Sequence, residues 1–243
     1  MLDLDGTTIP NSIDGMPSDR VKNAINAANK KLNVCIVTAR PSTWTTHIVD
    51  YLKLDSLYIV DNGAQVIDSN TKKVLWERPL RNEDVKHILS IAKKYKCDVT
   101  YSDGDSYPVG KNKKIPNKIF NLFFGSISDY QLEKLFEHLE HIPTISVQKI
   151  PSWSGGSPVM IVTHAEATKQ HGIFEVGKLL KIDTHEIIGV GDGYNDFPLL
   201  MACGLKVAMG NAVPDLKEIA DYIAPSVDDD GVADVIEKFI LTD

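Results

Sequence analysis

Short apolar runs recur along this chain, and each ends in a polar or glycine turn. Residues 33–40 read NVCIVTAR, and residues 56–64 read SLYIVDNGA, closing on Asp61, Asn62 and Gly63. Residues 185–196 (HEIIGVGDGYND) run into Asp192, and residues 205–212 (LKVAMGNA) close on Gly210 and Asn211. Runs of this length, bounded by turn residues, predict buried strands. Between them the apolar period lengthens to that of a helix. Residues 18–31 place Val21, Ile25 and Ala28 on one face, with Ser18 as N-cap. Residues 169–182 space Ile173, Val176 and Leu180 likewise, and residues 214–223 space Leu216, Ile219 and Ala220. Strands alternating with helices predict an α/β fold with a doubly wound parallel sheet. Ligands of such sheets bind beyond the carboxyl ends of the strands, where every polar tail above would lie.

The middle of the chain has a different pattern. A helix is expected over residues 82–95 and a strand over 97–101 (CDVTY), followed by a basic loop over 110–118 and the run NLFFG at 121–125. A second amphipathic helix follows over 128–141, then strands over 144–150 and 158–164. That order suggests an inserted α+β unit with two helices on a small antiparallel sheet. The expected division is a core of residues 1–79 and 164–243 and an insert of residues 80–163, with hinges at 77–81 and 163–168.

Composition narrows the function. Hydrophobic content of 43% and charged content of 24% suit an ordinary globular protein. No run of 18 apolar residues spans a membrane. The net charge of −7 argues against bulk nucleic-acid binding. Three cysteines, Cys35, Cys97 and Cys203, are widely spaced and odd in number, so neither a disulfide framework nor a CxxC metal site is expected. A reducing cytoplasm is the expected location, with Cys35 a buried thiol.

Candidate chemistry gathers at the predicted strand ends. Asp3 and Asp5 stand two apart, so an extended backbone turns both side chains to one face. Thr38, Lys169, Asp192 and Asp196 end or follow other elements. Three carboxylates brought together repel one another unless a hard cation sits among them, and oxygen-only ligation favours Mg²⁺. One carboxylate can then attack a phosphoryl group while the lysine and the threonine hydroxyl hold its oxygens.

At these residues the chain resembles the haloacid dehalogenase (HAD) superfamily of phosphohydrolases, in its Cof-like subclass with an α+β cap (type C2, IIB). DLDGT at 3–7, VTAR at 37–40, ATKQHGI at 167–173 and GDGYNDFPLL at 191–200 match its four motifs in order. VAMGNA at 207–212 and ADYIAPSVDDDGV at 220–232 also resemble the subclass. The resemblance implies a Rossmann-like core, Asp3 as nucleophile through an aspartyl-phosphate, and Asp5 as general acid and base. It implies Thr38, the Ala39 backbone N–H, Lys169 and Asn195 at the phosphoryl group. Asp3, Asp5 through its carbonyl, Asp192 and the supporting Asp196 would form the metal site. The expected reaction is Mg²⁺-dependent hydrolysis of a small phosphomonoester, a sugar phosphate first. An Asp two positions after the nucleophile resembles the phosphatases and phosphomutases rather than the phosphate-pumping ATPases. A phosphosugar mutase, a non-catalytic phospholigand-binding module and a protein phosphatase are the alternatives.

Two departures from the family pattern stand out. Ala39 occupies a position that is commonly glycine. Only Met1 and Leu2 precede Asp3, where family members have a longer apolar strand. The expectation is a native start several residues earlier, with the α-amino group here competing for the Asp3 carboxylate. Elsewhere plain readings are preferred. Lys111, Lys113, Lys114 and Lys118 read as a solvated loop, His164 and His171 as non-ligands, and Asp228, Asp229 and Asp230 as an exposed turn. Trp153 reads equally as a substrate-facing residue or a packed anchor.

Overall fold

In the computed structural model, which describes residues 1–95, 97–104, 116–125, 128–150 and 159–242, strand β1 (Leu2–Asp3) lies inside an eight-stranded sheet. Its neighbours are β2 (Ile36–Val37) and β10 (Ile188–Gly191), both parallel to it. Beyond β10 come β11 (Leu205–Ala208) and β12 (Tyr222–Ile223); beyond β2 comes β3 (Leu57–Val60). Two antiparallel strands, β4 (Gln65–Asp68) and β5 (Val74–Glu77), complete that side and were not in the predicted pattern. Asp68 forms the hairpin between them, its carboxylate accepting from the backbone N–H of Asn70 and Thr71.

Helices cover both faces. In α1 (Asp19–Ala28), Ser18 accepts from the Val21 N–H at 3.1 Å, and Val21, Ala24, Ile25 and Ala28 are buried. Helices α2 (Ser42–Tyr51), α5 (Lys169–Leu180), α6 (Phe197–Ala202), α7 (Pro214–Glu218) and α8 (Gly231–Phe239) complete the layers. The predicted helix over 214–223 is shorter than its periodicity implied. It stops at Glu218, and Tyr222 and Ile223 pair with Val207 and Ala208. Asp221 draws the chain into the sheet: its carboxylate accepts from the Lys206 N–H at 2.9 Å and its N–H donates to the Lys206 carbonyl at 2.8 Å.

A second sheet, ordered β6-β7-β9-β8, is antiparallel throughout. It comprises β6 (Asp98–Ser102), β7 (Asn121–Gly125), β8 (Ile145–Ile150) and β9 (Val159–His164), packed on α3 (Asn82–Tyr95) and α4 (Asp129–Leu139). Each sheet has its own apolar cluster. One draws on residues between 2 and 67 and between 173 and 236, the other on residues between 80 and 162. The face of β8 opposite its helices turns toward the carboxyl edge of the large sheet.

Candidate active site

The site begins where β1 ends. The Leu4 carbonyl accepts from the N–H groups of Thr8 and Ile9, both at 2.9 Å, so the chain coils back at once. Leu4 and Ile9 are fully buried behind this coil, each worth roughly 1.5–3 kcal/mol of burial. Gly6 has φ +78°, and a Cβ there would lie 2.4 Å from an Asp192 oxygen. The glycine thus lets the first loop close against the tail of β10.

Lys169 opens α5 with no exposure to solvent. Its ammonium pairs with the Asp3 carboxylate and, at 2.6 Å, with Asp196 Oδ1. Asp196 Oδ2 accepts from the N–H groups of Asp192 and Gly193 at 2.9 and 2.8 Å, so this carboxylate fixes both the lysine and the loop after β10. Asp192 Oδ1 accepts from Thr7 Oγ1 at 3.0 Å; its Oδ2 accepts from Asn211 Nδ2 at 3.3 Å. Oxygens of Asp3, Asp192 and Asp196 lie within 4.8 Å of one another. Thr38 is fully buried and its hydroxyl accepts from the Arg40 N–H at 3.1 Å.

Burial dominates the electrostatics. It pushes the Asp3 carboxyl up to about 7, with Asp196 repulsion adding and Lys169 partly offsetting. Asp192 is raised well above the usual carboxylate range by burial, then by Asp3 and Asp196. Burial alone would lower the Lys169 ammonium, but Asp196 and Asp3 outweigh it and hold it above its ordinary value. With all groups ionised, three carboxylates and one ammonium leave two uncompensated negative charges. That deficit matches one divalent cation, and the donor set is oxygen only, which fits Mg²⁺.

Asp5 stands apart from this cluster. Arg40, 1% exposed, grips its carboxylate through Nε at 2.9 Å and through a terminal nitrogen. The same guanidinium donates to the carbonyls of Ser12 at 2.7 Å and Ile13 at 3.0 Å. Arg40 thereby ties Asp5 to the loop after β1. Sequence reasoning missed this role; a basic residue two positions after Thr38, closing the apolar run, was the available signal. Asn211 was also missed: it donates to the Gly6 carbonyl at 2.8 Å as well as to Asp192.

A small cavity of about 30 Å³ is lined by Asp3, Asp5, Asn11, Ala39, Asp192, Asn195 and Ile150 of β8. It has room for about one water molecule. A larger apolar cavity, about 390 Å³, opens at the opposite edge of the sheet among Leu2, Cys35, Val176, Ile188 and Ile236. Cavity size and chemistry therefore separate, and the carboxylates mark the site.

Other expectations resolve locally. The Met1 α-amino group donates to the Ile188 carbonyl at 2.8 Å rather than competing for Asp3, whose carboxylate is taken by Lys169; this corrects the expected competition. His171 Nδ1 meets Thr168 Oγ1 at 2.9 Å, and His164 Nδ1 accepts from the Glu166 N–H. Lys118 pairs with Glu77. Cys35 is free and buried. Lys111, Lys113, Lys114 and Trp153 lie outside the described residues. Among the described residues, no helix is long and apolar enough to cross a membrane.

The chain matches the sequence profile of haloacid dehalogenase-like hydrolases over residues 1–130 and 110–236. It is 30% identical over 247 residues to the 5-amino-6-(5-phospho-D-ribitylamino)uracil phosphatase YcsE of Bacillus subtilis, across 99% of this chain and 94% of that one. Two solved structures share its fold. A haloacid dehalogenase-like hydrolase from B. subtilis gives a TM-score of 0.87 at 21% identity over 98% of both chains. The HAD subclass IIB sugar phosphatase BT4131 gives 0.81 at 23% identity over 99% of this chain and 98% of that one. On the profile and the 30% relative, this chain belongs to the haloacid dehalogenase-like hydrolases, in their Cof-like subclass, and is a phosphoric monoester hydrolase.

Proposed function

We propose that this phosphatase hydrolyses a small phosphorylated metabolite, a sugar phosphate or related ester, with Asp3 as the nucleophile and Mg²⁺ as the cofactor. The observation that carries the reading is the buried cluster of Asp3, Asp192 and Asp196 around the Lys169 ammonium. An Asp3 oxygen attacks phosphorus, and the bond to the leaving oxygen breaks as Asp5 gives that oxygen a proton. The ester becomes an aspartyl-phosphate and a free alcohol. Water then attacks the same phosphorus, Asp5 takes the water's proton, and the Asp3 carboxylate is restored with phosphate released. Lys169 offsets charge on the phosphoryl oxygens, while the Thr38 hydroxyl, the Ala39 N–H and the Asn195 amide orient them.

Asp3, Asp192 and the Asp5 carbonyl would hold Mg²⁺, with Asp196 supporting them from behind. When bound, the cation would supply the positive charge that the carboxylate cluster lacks and bring nucleophile and phosphoryl group together. We take residues 80–163 as the cap. Two features support this: a separate apolar cluster within 80–162, and Ile150 over the catalytic cavity. The cavity of about 30 Å³ holds about one water molecule, which supports a cap that withdraws to admit substrate.

The test is phosphate release across a panel of phosphorylated metabolites, with and without chelator. Release from sugar phosphates, lost on chelation, is expected. Asp3→Asn is expected to lower kcat by roughly 10⁴ or more. If Asp3→Asn kept about a tenth of wild-type turnover, a loss of only about 1.4 kcal/mol, Asp3 would not be the nucleophile.

A further inference from the structure

The turn after β3 has an unusual backbone. Asp61, Asn62 and Gly63 have φ of +52°, +60° and +111° in succession, and all three are buried. Non-glycine residues in this region cost roughly 1–3 kcal/mol each and persist only where surrounding structure holds them. Here the Asp61 N–H donates to the Arg40 carbonyl and the Asn62 N–H to the Thr38 carbonyl, both at 2.9 Å. Gly63 presses on the start of α5, where a Cβ would stand 2.0 Å from the Thr168 carbonyl oxygen. The turn is thus wedged between Thr38 and Lys169.

Its two polar side chains reach the second sheet. Asn121 of β7 donates to Asp61 Oδ1 at 2.8 Å. Asn62 Nδ2 donates to Gln148 Oε1 of β8 at 2.6 Å, and Asn62 Oδ1 accepts from Asn195 Nδ2 at 3.2 Å. Asn62 therefore joins a cap strand to a residue lining the catalytic cavity. The Asn195 amide carries two hydrogens; one is taken by Asn62, which leaves the other for the cavity. Gln148 and Ile150 stand two apart on one strand, so the residue that grips Asn62 and the residue that covers the cavity share a face and move together.

We infer that Asn62 is a positioning residue through which cap closure on Gln148 orients the Asn195 amide toward the phosphoryl group. The inference rests on the phosphatase reading above. With the cap withdrawn, Asn62 loses its acceptor on Gln148 and its own amide is free to turn. Asn195 then loses its fixed anchor. With the cap closed, the three amides form one chain and Asn195 is set for the phosphoryl oxygens. Productive orientation would thereby wait for closure.

Kinetics with p-nitrophenyl phosphate on the full chain test this. Asn62→Gly removes the amide while suiting the backbone, because glycine accepts φ +60° without steric penalty. Asn62→Gly and Gln148→Ala are each expected to lower kcat about tenfold, equivalent to about 1.4 kcal/mol. In an Asn195→Ala background, Asn62→Gly should add no further loss, because its only route to the chemistry is gone. A purely structural role would instead multiply the losses and lower Tm in step with kcat. Equal penalties for Asn62→Gly in both backgrounds, or an unchanged kcat in Gln148→Ala, would overturn the inference. Gln148→Ala keeps the test independent of whether the Asn62 variant folds. A wild-type enzyme releasing no phosphate would overturn the phosphatase reading and this inference with it; an active enzyme with additive losses would overturn this inference alone.

Discussion

The carboxyl edge of the large sheet and the face of the small sheet above it hold the site by different forces. At the edge, Lys169 sits buried between Asp3 and Asp196, and Arg40 grips Asp5. Across the gap, the contacts over the small cavity are the neutral amides Asn62–Gln148 and the side chain of Ile150, while beside them Asn121 donates to the Asp61 carboxylate and Lys118 pairs with Glu77. Removing one partner of a buried ion pair costs about 3–5 kcal/mol. A neutral hydrogen bond contributes a net of only about 0.5–1.5 kcal/mol, because water replaces the lost partner. Charges that had to part at every turnover would add a large barrier to each cycle. Neutral contacts can open and close at little cost. Over the small cavity the large sheet carries the ions, and the face of the proposed cap carries an amide and hydrocarbon.

Lys169→Met tests the ionic half most severely. It strands two buried carboxylates, so stability should fall by about 3–5 kcal/mol and kcat by roughly 10³. Chemical denaturation and phosphate release measure the two losses. Lys169→Arg should recover only part of either, because a planar fork does not replace a compact ammonium. Full activity in Lys169→Met would remove the ammonium from the chemistry and dissolve the contrast. Arg40→Lys is milder. A lysine can reach Asp5 but cannot also span the Ser12 and Ile13 carbonyls, so Asp5 loses its fixed direction. A fall in kcat of about 10² is expected, with KM little changed. An unchanged kcat would show that Asp5 is positioned without the guanidinium. The smallest effect belongs to the neutral half. Ile150→Ala should alter the kcat/KM ratio between a bulky and a small phosphomonoester by about tenfold or less. It should leave kcat on p-nitrophenyl phosphate nearly constant. A large fall in that kcat would place Ile150 in the chemistry and blur the division.

What the sequence revealed follows the range of the interactions. Helix α3 spans the predicted residues 82–95, because its apolar stripe is a local pattern. Strands β3, β10 and β11 were legible as short apolar runs before turns. Strand β12 was not, because residues 219–220 continue a helical spacing and only pairing with β11 overrides it. The same holds at the site. Asp3, Asp5, Thr38, Ala39, Lys169, Asp192, Asn195 and Asp196 sit in short motifs at element ends. Position alone singled out Asp3, Asp5, Thr38, Lys169, Asp192 and Asp196, whereas Ala39 and Asn195 were named through the family resemblance; the structure gathers them at one edge. Arg40, Asn62 and Asn211 gain their meaning from partners distant in sequence. Arg40 meets Asp5, Asn62 meets both Gln148 and Asn195, and Asn211 meets Gly6. No local pattern announces such pairs.

The position of β1 has a consequence in time. Leu2 pairs with Ile36 on one side and with Val190 on the other, so the strand that carries Asp3 is completed by a segment made 188 residues after it. At a synthesis rate of about 5–20 residues per second, roughly 10–40 s pass between the making of Asp3 and of Asp192. During that interval the ribosome carries a β1 with a partner on one side only, and for most of it an Asp3 that has no lysine. The second sheet and its helices draw their apolar cluster and strand pairing from residues 80–164, so that unit can fold while the first waits. The nascent chain therefore holds the Asp3 carboxylate unassembled until late in translation, and a chain released before Lys169 lacks the charge that balances it.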